Sequence, residues 1–200
     1  MRIRARGGGM KVYEVIVSRR SIRQFKRDLI SRDDLISLVN AARLAPSAAN
    51  LQPLEYLVVE DEELRRSIFP SLRWAAYIAP EGNPKPGYEP QAYIIVLVNK
   101  RIRSEKYERD VGAAVENMIL AAWEKGIGSC WLISIERKKL RKTLKIPEYY
   151  AIDSVLALGY PAEMPVIEEM KDSVKYWKDE GGVLHVPKRR LEEIVHFNRF

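Results

Sequence analysis

The chain has 200 residues, of which 46% are hydrophobic and 30% charged, with a formal net charge of +7. This composition excludes global disorder, and no apolar run approaches the roughly 20 residues that a membrane-spanning helix needs. Because Cys130 is the only cysteine and there are two histidines, a disulfide within the chain is impossible and we expect no bound metal and a cytoplasmic location.

The excess of positive charge is confined to the start of the chain. Residues 1–32 carry ten Lys or Arg and two acidic residues, whereas residues 33–200 carry 24 and 25. A sequence-tolerant nucleic-acid-binding protein needs a long stripe of cations, so this distribution favours a compact anion as the ligand. A non-enzymatic basic module that binds DNA or RNA is the alternative, and it predicts steeply salt-dependent binding.

Residues 1–9 are positively charged, and no apolar segment follows them. A secretory signal needs that segment, so we expect a flexible leader at 1–9 and a single domain at 10–200.

The elements that follow mix helices and strands without strict alternation. Helical spacing predicts helices within 12–21, 31–47, 61–69, 110–128 and 136–144, and it resumes in the tail from 188 to 200. Strands are predicted at 54–60, 92–98, 129–135 and 153–159, and an exposed loop at 80–90. The pattern predicts an α+β fold with helices packed around one central sheet. The 110–128 helix is apolar over more than one face, which is typical of a helix buried against another subunit.

The segment "SRRSIRQFKR" at 18–27, the basic segment, contains five cationic residues and no acidic one. If it is extended, Arg19, Ser21 and Arg23 lie on one face. A guanidinium fork and a hydroxyl suit a phosphate monoester. These residues alone leave a solvated charged surface open as the alternative.

A second polar segment, "APSAANLQP" at 45–53, links a helix to a strand. Its small residues allow a planar ligand close to the backbone, and Ser47, Asn50 and Gln52 offer donors and acceptors to a heterocycle. The alternative is an ordinary turn stabilised by these side chains. No Gly-x-Gly-x-x-Gly follows a strand, so a Rossmann dinucleotide site has no support.

Taken in order, "SRRSIRQF", "APSAANLQP", "DVGAAVENMILAAWEKGIGSCWLIS" and "ALGYP" resemble the nitroreductase-like flavoprotein family. The resemblance covers residues 10–200. It implies a nitroreductase-like fold, with a central, mostly antiparallel sheet surrounded by helices, in an intertwined homodimer. It also implies FMN at the subunit interface and NAD(P)H as electron donor, with ping-pong hydride transfer to a nitroaromatic, a quinone or another electron-poor acceptor.

The same resemblance implies roles for particular residues. The phosphate would be held by Arg19, Arg20 and Ser21, and closed over by Lys188, Arg189 and Arg190. Arg23 would reach the pyrimidine end of the flavin. The isoalloxazine would be lined, in part from the partner subunit, by Pro46, Ser47, Ala48, Asn50 and Gln52. A backbone amide within Leu132, Ile133 and Ser134 would face flavin N5. No catalytic residue is implied beyond the flavin itself.

The substrate-facing wall does not carry over, because some members place helices where this chain has Trp74 and the 80–90 loop. We interpret Trp74, Tyr77 and Tyr88 as a substrate pocket that stacks on aromatic acceptors, with a purely structural stapling of the loop as the alternative. Within the family, reductive dehalogenation and flavin fragmentation are the other reactions that the sequence leaves open.

Overall fold

The computed structural model describes residues 11–200, so the leader predicted at 1–9 lies outside the described residues. The helices are α1 (Val12–Ser18), α2 (Arg32–Arg43), α3 (Glu62–Ile68), α4 (Glu108–Glu124) and α5 (Arg137–Leu144). The strands are β1 (Leu54–Val59), β2 (Ala92–Asn99), β3 (Gly128–Leu132), β4 (Tyr150–Gly159), β5 (Val166–Glu169), β6 (Trp177–Lys178) and β7 (Leu184–Lys188). Within 11–200, no helix combines the length and apolar character needed to cross a membrane.

The central sheet has the strand order β1-β2-β4-β3, and all its neighbouring strands are antiparallel. Helices α2 and α4 cover one face, where they pack on Ile94 and Val96 of β2. Helices α3 and α5 supply side chains to the other face, where Tyr93 and Ile95 lie. Because both faces are covered, β2 is a continuous apolar run rather than an alternating one. The predicted α+β architecture with a central antiparallel sheet is confirmed.

Ser31 caps α2, because its hydroxyl accepts a hydrogen bond from the backbone N–H of Asp34 at 3.0 Å. We expect Ser31→Ala to lower the free energy of unfolding by about 1 kcal/mol, the usual cost of losing an N-cap. Ser37→Ala is the control, since the Ser37 hydroxyl bonds only to the Asp34 carbonyl inside the helix and its loss should be neutral. Urea denaturation measures both, and equal stability of the two variants would contradict the capping role.

The tail differs from the helical prediction. Helical spacing from 188 to 200 produces only a 3₁₀ turn at Leu191–Glu193. A short helix is stable only when an apolar face packs on something. Here Leu191 is 69% exposed and Phe197 82% exposed, so no such packing exists within the described residues of one chain.

A second, three-stranded sheet was not predicted. Its order is β5-β7-β6, with β5 parallel and β6 antiparallel to β7. One imidazole joins all three strands: His185 Nδ1 lies 3.0 Å from Glu168 Oε2, and Nε2 lies 3.2 Å from Asp179 Oδ2. The Trp177 ring stacks on His185 with centroids 4.2 Å apart, and its indole N–H donates to Glu168 Oε1 at 2.7 Å.

This cluster makes the stability of the second sheet depend on pH. Hydrogen bonds to Asp179 and then Glu168 raise the pKa of His185 above its ordinary 6.5. The resulting stabilisation is complete below pH 6.5 and is lost as the pH rises through the raised pKa. The pKa of Glu168 is lowered, first by Trp177 and then by His185, and that of Asp179 is lowered, first by the Val183 amide and then by His185. The stabilisation from Glu168 and Asp179 is present above their ordinary pKa values of 4.5 and 3.8, and it is lost as the pH falls through their lowered pKa values.

We therefore expect the His185 ring to titrate by NMR with a midpoint above 6.5. Only two histidines are present, so His185→Gln identifies its resonance by removing it, and His196→Gln serves as the control. The difference in unfolding free energy between the wild type and His185→Gln should shrink as the pH rises through that midpoint. A midpoint at or below 6.5 would show that the two carboxylates do not hold the imidazolium.

Candidate functional site

Helix α1 ends at Ser18, three residues short of the predicted bound, and the basic segment continues beyond it as extended chain, which is the condition for Arg19, Ser21 and Arg23 to share one face. Ser21 forms a parallel bridge with Ser129 of β3, and the Ile22 N–H donates to the Ser129 carbonyl at 2.8 Å. Ile22 and Phe25 are fully buried, whereas Ser21 and Arg23 are only partly buried. The segment therefore lies along the β3 edge of the central sheet, with its apolar side chains inward.

Two glycines of the sheet permit this close approach. A Cβ on Gly128 would lie 2.8 Å from Ile22 Cγ1, and a Cβ on Gly159 would lie 2.8 Å from Phe25 Cδ1. Both distances are shorter than any real contact of a Cβ atom, so larger residues at these positions would displace the basic segment.

The exposed loop predicted at 80–90 is confirmed, since it contains no helix or strand and most of its residues are exposed, and it also covers the other side of the same segment. Gln24 is buried, its amide N–H donates to the Asn83 carbonyl at 2.9 Å, and its amide oxygen accepts from the Lys85 N–H at 3.0 Å. The Phe25 N–H donates to the Tyr88 carbonyl at 2.9 Å. A buried amide needs such partners, and only the loop supplies them.

The arginines of the segment have unused capacity for an anion. Arg20 directs its fork to the backbone carbonyls of Arg19 and Val17, and its Nε is buried without a hydrogen-bond partner among the described residues. Burial, and then the neighbouring Arg19 charge, lower the pKa of Arg20. Arg23 Nε is likewise buried without a partner in the described chain. Arg19 Nε lies 3.2 Å from Glu116 Oε1, in a pair whose side chains are partly exposed. A dianion placed here would satisfy donors that the protein leaves unsatisfied.

The turn at 46–52, the second predicted part of the site, has an unusual backbone. Ala49, Asn50 and Gln52 have φ angles of 53°, 53° and 49°, in the left-handed region that non-glycine residues rarely adopt. The Gln52 N–H donates to Ser47 Oγ at 3.1 Å, and its side-chain amide donates to Asn50 Oδ1 at 3.2 Å. Strain of this kind persists only where surrounding structure determines it, and it is common at ligand sites.

Asp110, which the sequence analysis did not single out, helps to determine that turn. It is buried at the start of α4, and its Oδ1 accepts a hydrogen bond from the Ala48 N–H at 3.1 Å. The only indication in the sequence was an acidic residue ahead of an apolar helix.

A cavity of about 140 Å³ lies beneath the turn, lined by residues that include Pro46, Ser47 and Tyr56. It is smaller than the roughly 300 Å³ typical of a ligand pocket, so this turn does not enclose a ligand by itself.

One chain does not bring the two predicted parts together. The basic segment lies beside β3, and the 46–52 turn precedes β1, at the opposite edge of the sheet. The two parts also lie at different levels along the strands. Leu54, which follows the turn, pairs with Val98 of β2, and Val98 pairs with Ala151 of β4. Ser129, which pairs with the basic segment, pairs with Leu158 of β4, seven residues beyond Ala151. With about 4.8 Å between strands and 3.4 Å per residue, the two parts are on the order of 30 Å apart.

The remaining predicted residues also divide. Leu132, Ile133 and Ser134 lie at the end of β3, close in sequence to Ser129, which pairs with the basic segment. Within 11–200, no hydrogen bond or ion pair links the predicted Lys188–Arg190 group to the basic segment. Arg189 and Arg190 pair instead with glutamates of their own surroundings, Glu193 and Glu169.

The three predicted aromatic residues occupy different environments. Trp74 is buried against Phe69, with ring centroids 6.0 Å apart, so it offers little surface for stacking. Tyr88 is exposed in the 80–90 loop, and its carbonyl holds Phe25. Tyr77 is exposed and contacts Tyr176, a residue that the sequence analysis did not single out because no periodic pattern marks its segment.

A cavity of about 730 Å³ borders the C-terminal end of the basic segment, where Arg27 lines it together with Tyr93 and residues of α3 and the 80–90 loop. None of the predicted cofactor residues lines it. Two of the charged residues that line it, Arg66 and Glu62, form an ion pair with each other. The basic segment therefore remains the candidate site.

Comparison with known proteins agrees with this architecture. The model of the nitroreductase family matches residues 16–160. An Archaeoglobus fulgidus protein named as an NADH dehydrogenase/NAD(P)H nitroreductase is 34% identical over 166 residues, covering 80% of this chain and 90% of that protein. An iodotyrosine deiodinase of Thermotoga neapolitana is 28% identical over 166 residues, covering 75% and 88%. The solved structure of an FMN-dependent nitroreductase of Clostridium difficile R20291 has a TM-score of 0.65 at 24% identity, covering 93% and 98%, and shows the same fold.

Proposed function

The chain belongs to the nitroreductase family, and from that premise we propose that it reduces nitroaromatic, quinone or related electron-poor acceptors with NAD(P)H, using bound FMN. The observation that carries this proposal is the pair of buried, unpartnered guanidinium nitrogens on Arg20 and Arg23. They are the donors that a flavin phosphate and the pyrimidine end of its ring would satisfy.

In this proposal Arg19, Arg20 and Ser21 hold the phosphate, with Lys188, Arg189 and Arg190 closing over it. Arg23 supplies positive charge beside the ring, which favours negative charge on the reduced flavin. Bound FMN would supply the redox chemistry between NAD(P)H and the second substrate. The chain would orient the ring and both substrates, with Leu132–Ser134 supplying a backbone amide to flavin N5.

We further propose that the active unit is an intertwined homodimer. The separation on the order of 30 Å within one chain supports a flavin contacted by the basic segment of one subunit and the 46–52 turn of another. Large apolar side chains are exposed on the first two helices, just after the second and in the tail: Val12, Tyr13, Ile16, Ile36, Leu44, Leu191 and Phe197. They are candidates for the surface that a second subunit would cover. Sedimentation that found a folded, flavin-loaded monomer would contradict this.

The colour of the purified protein tests the cofactor assignment. We expect a yellow protein that releases FMN, and not FAD, on heat denaturation, and that oxidises NAD(P)H when a nitroaromatic or a quinone is added. A colourless protein that FMN does not reconstitute would contradict the proposed function.

As part of the same proposal we place the enzyme in the cytoplasm, in keeping with its single, buried and unpaired cysteine.

Reductive dehalogenation is the second candidate, because a curated relative of this chain is an iodotyrosine deiodinase. Iodide release from iodotyrosine by the reduced enzyme, at a rate exceeding nitroaromatic reduction, would favour it. Flavin fragmentation predicts instead that the reduced flavin is consumed under oxygen.

A further inference from the structure

Tyr176 brings the second sheet into contact with the basic segment. It precedes β6, and the guanidinium carbon of Arg23 lies 5.3 Å from the centroid of its ring. The same ring packs on Tyr77, with centroids 5.0 Å apart and the planes inclined by 51°. Lys175 Nζ lies 5.8 Å from the Tyr77 centroid. Two aromatic rings and two cations thus form one cluster.

Several contacts hold this arrangement in place. Lys178 Nζ donates to the Glu81 carbonyl at 3.0 Å, which ties β6 to the 80–90 loop. The Tyr77 N–H approaches the Tyr176 hydroxyl at 3.5 Å. Trp177, next in sequence to Tyr176, is fixed by its stack on His185. Tyr77 nevertheless remains 56% exposed, so the pair presents aromatic surface to solvent.

We propose that Tyr176 and Tyr77 form one wall of the acceptor site and select planar aromatic acceptors that carry an anionic group. The inference rests on the proposed function, because it takes Arg23 to lie at the ring end of the flavin. Aromatic faces stack on a planar acceptor. Glu163 Oε1 accepts a hydrogen bond from the Arg23 backbone N–H at 2.5 Å, and the two cations Arg23 and Lys175 leave a net positive charge beside that carboxylate, which attracts a carboxylate or phenolate substituent. Tyr176 is thereby a specificity-determining residue.

Calorimetric titration of the oxidised, FMN-loaded dimer with 4-nitrobenzoate and 4-nitrobenzamide tests the proposal without turnover. The two ligands have nearly the same shape and differ in charge. We expect the wild type to bind the benzoate more tightly. Tyr176→Leu, which keeps apolar volume but removes the aromatic face, should weaken both ligands about three- to tenfold. Lys175→Met should weaken the benzoate alone, by about two- to fivefold.

Tyr149→Ala is the matched control. The Tyr149 ring also packs on a tyrosine, Tyr150, with centroids 4.4 Å apart, and the guanidinium carbon of Arg101 lies 3.9 Å from its centroid. Tyr149 directly precedes β4, at the opposite end of that strand from Leu158, which pairs with Ser129 beside the basic segment. We expect it to bind both ligands as the wild type does, with full FMN content.

The outcomes separate the inference from its premise. Unchanged affinity in a fully flavin-loaded Tyr176→Leu protein would overturn the acceptor wall and leave the proposed function standing. Loss of FMN from that variant would instead make Tyr176 a cofactor-binding residue and would also overturn the wall. A wild-type protein that does not bind FMN at all would overturn the proposed function and this inference with it.

Discussion

Arg19→Ala is expected to purify as a folded protein with little or no FMN. In the proposed site the arginine would make charge-assisted hydrogen bonds to the phosphate, and each such bond is worth about 1.5–3 kcal/mol. Its removal should lower FMN affinity about 10- to 100-fold. Stability should change by less than about 1 kcal/mol, because its pair with Glu116 joins two partly exposed side chains. Flavin absorbance per chain and fluorescence titration of the apoprotein with FMN measure the loss.

Lys26→Ala is the control for this variant. Lys26 belongs to the same basic segment, but its side chain is exposed, and its backbone N–H donates to the Tyr160 carbonyl whatever the side chain is. We expect it to retain FMN fully. If Arg19→Ala also retains full occupancy, the phosphate does not lie at Arg19. If both variants lose FMN equally, general positive charge and not a defined phosphate site binds the cofactor.

The parts of the fold that local patterns determine were predicted correctly. The apolar run of β2 and the capped, amphipathic α2 depend on neighbours in sequence, and both are present at nearly the predicted bounds. For the basic segment, the sequence supported only a conditional statement, that an extended chain would place Arg19, Ser21 and Arg23 on one face, and the structure supplies the extended chain after Ser18.

The parts that were missed depend on partners distant in the chain. Strands β5, β6 and β7 are short, β5 is largely exposed, and His185 holds the three strands through charged groups rather than a periodic apolar face. The tail has helical spacing, but a periodic pattern becomes a helix only when its apolar face is covered. Tyr176 acquires its place beside Arg23 from the docking of the second sheet, which no spacing around position 176 indicates.

The candidate site was likewise predicted as separate segments, because no local pattern shows where the basic segment and the 46–52 turn lie relative to each other in the fold. Each piece has a local chemical character, but only the strand order reveals that the basic segment and the 46–52 turn lie at opposite edges of one sheet. The resemblance already implied a flavin site shared with a partner subunit, and the separation of the two parts within one chain agrees with that expectation. In the proposed homodimer, each flavin would be contacted by the basic segment of one subunit and the 46–52 turn of the other.

The support beneath the basic segment yields the other large expected effect. Gly159→Ala would place a methyl group 2.8 Å from Phe25 Cδ1 and 2.9 Å from Phe25 Cβ. Phe25 cannot move aside easily, because it is fully buried and its N–H is held by the Tyr88 carbonyl. Overpacking of this kind costs about 1–3 kcal/mol. Displacement of Phe25 also moves Arg23, two residues earlier, so we expect lower unfolding stability and weaker FMN binding together.

Two further variants make this expectation specific. Gly181→Ala is the control, because its added methyl group meets nothing closer than Asp179 Oδ1 at 3.4 Å, an ordinary contact, and both stability and FMN content should be preserved. Phe25→Leu combined with Gly159→Ala replaces the ring with a smaller side chain, which relieves the contact at Cδ1 and leaves that at Cβ, and urea denaturation of the four proteins of this cycle measures the coupling. The double variant should be more stable than the sum of the single effects predicts. Strict additivity, or a stable Gly159→Ala protein with full FMN occupancy, would show that the basic segment does not depend on its contact with β4.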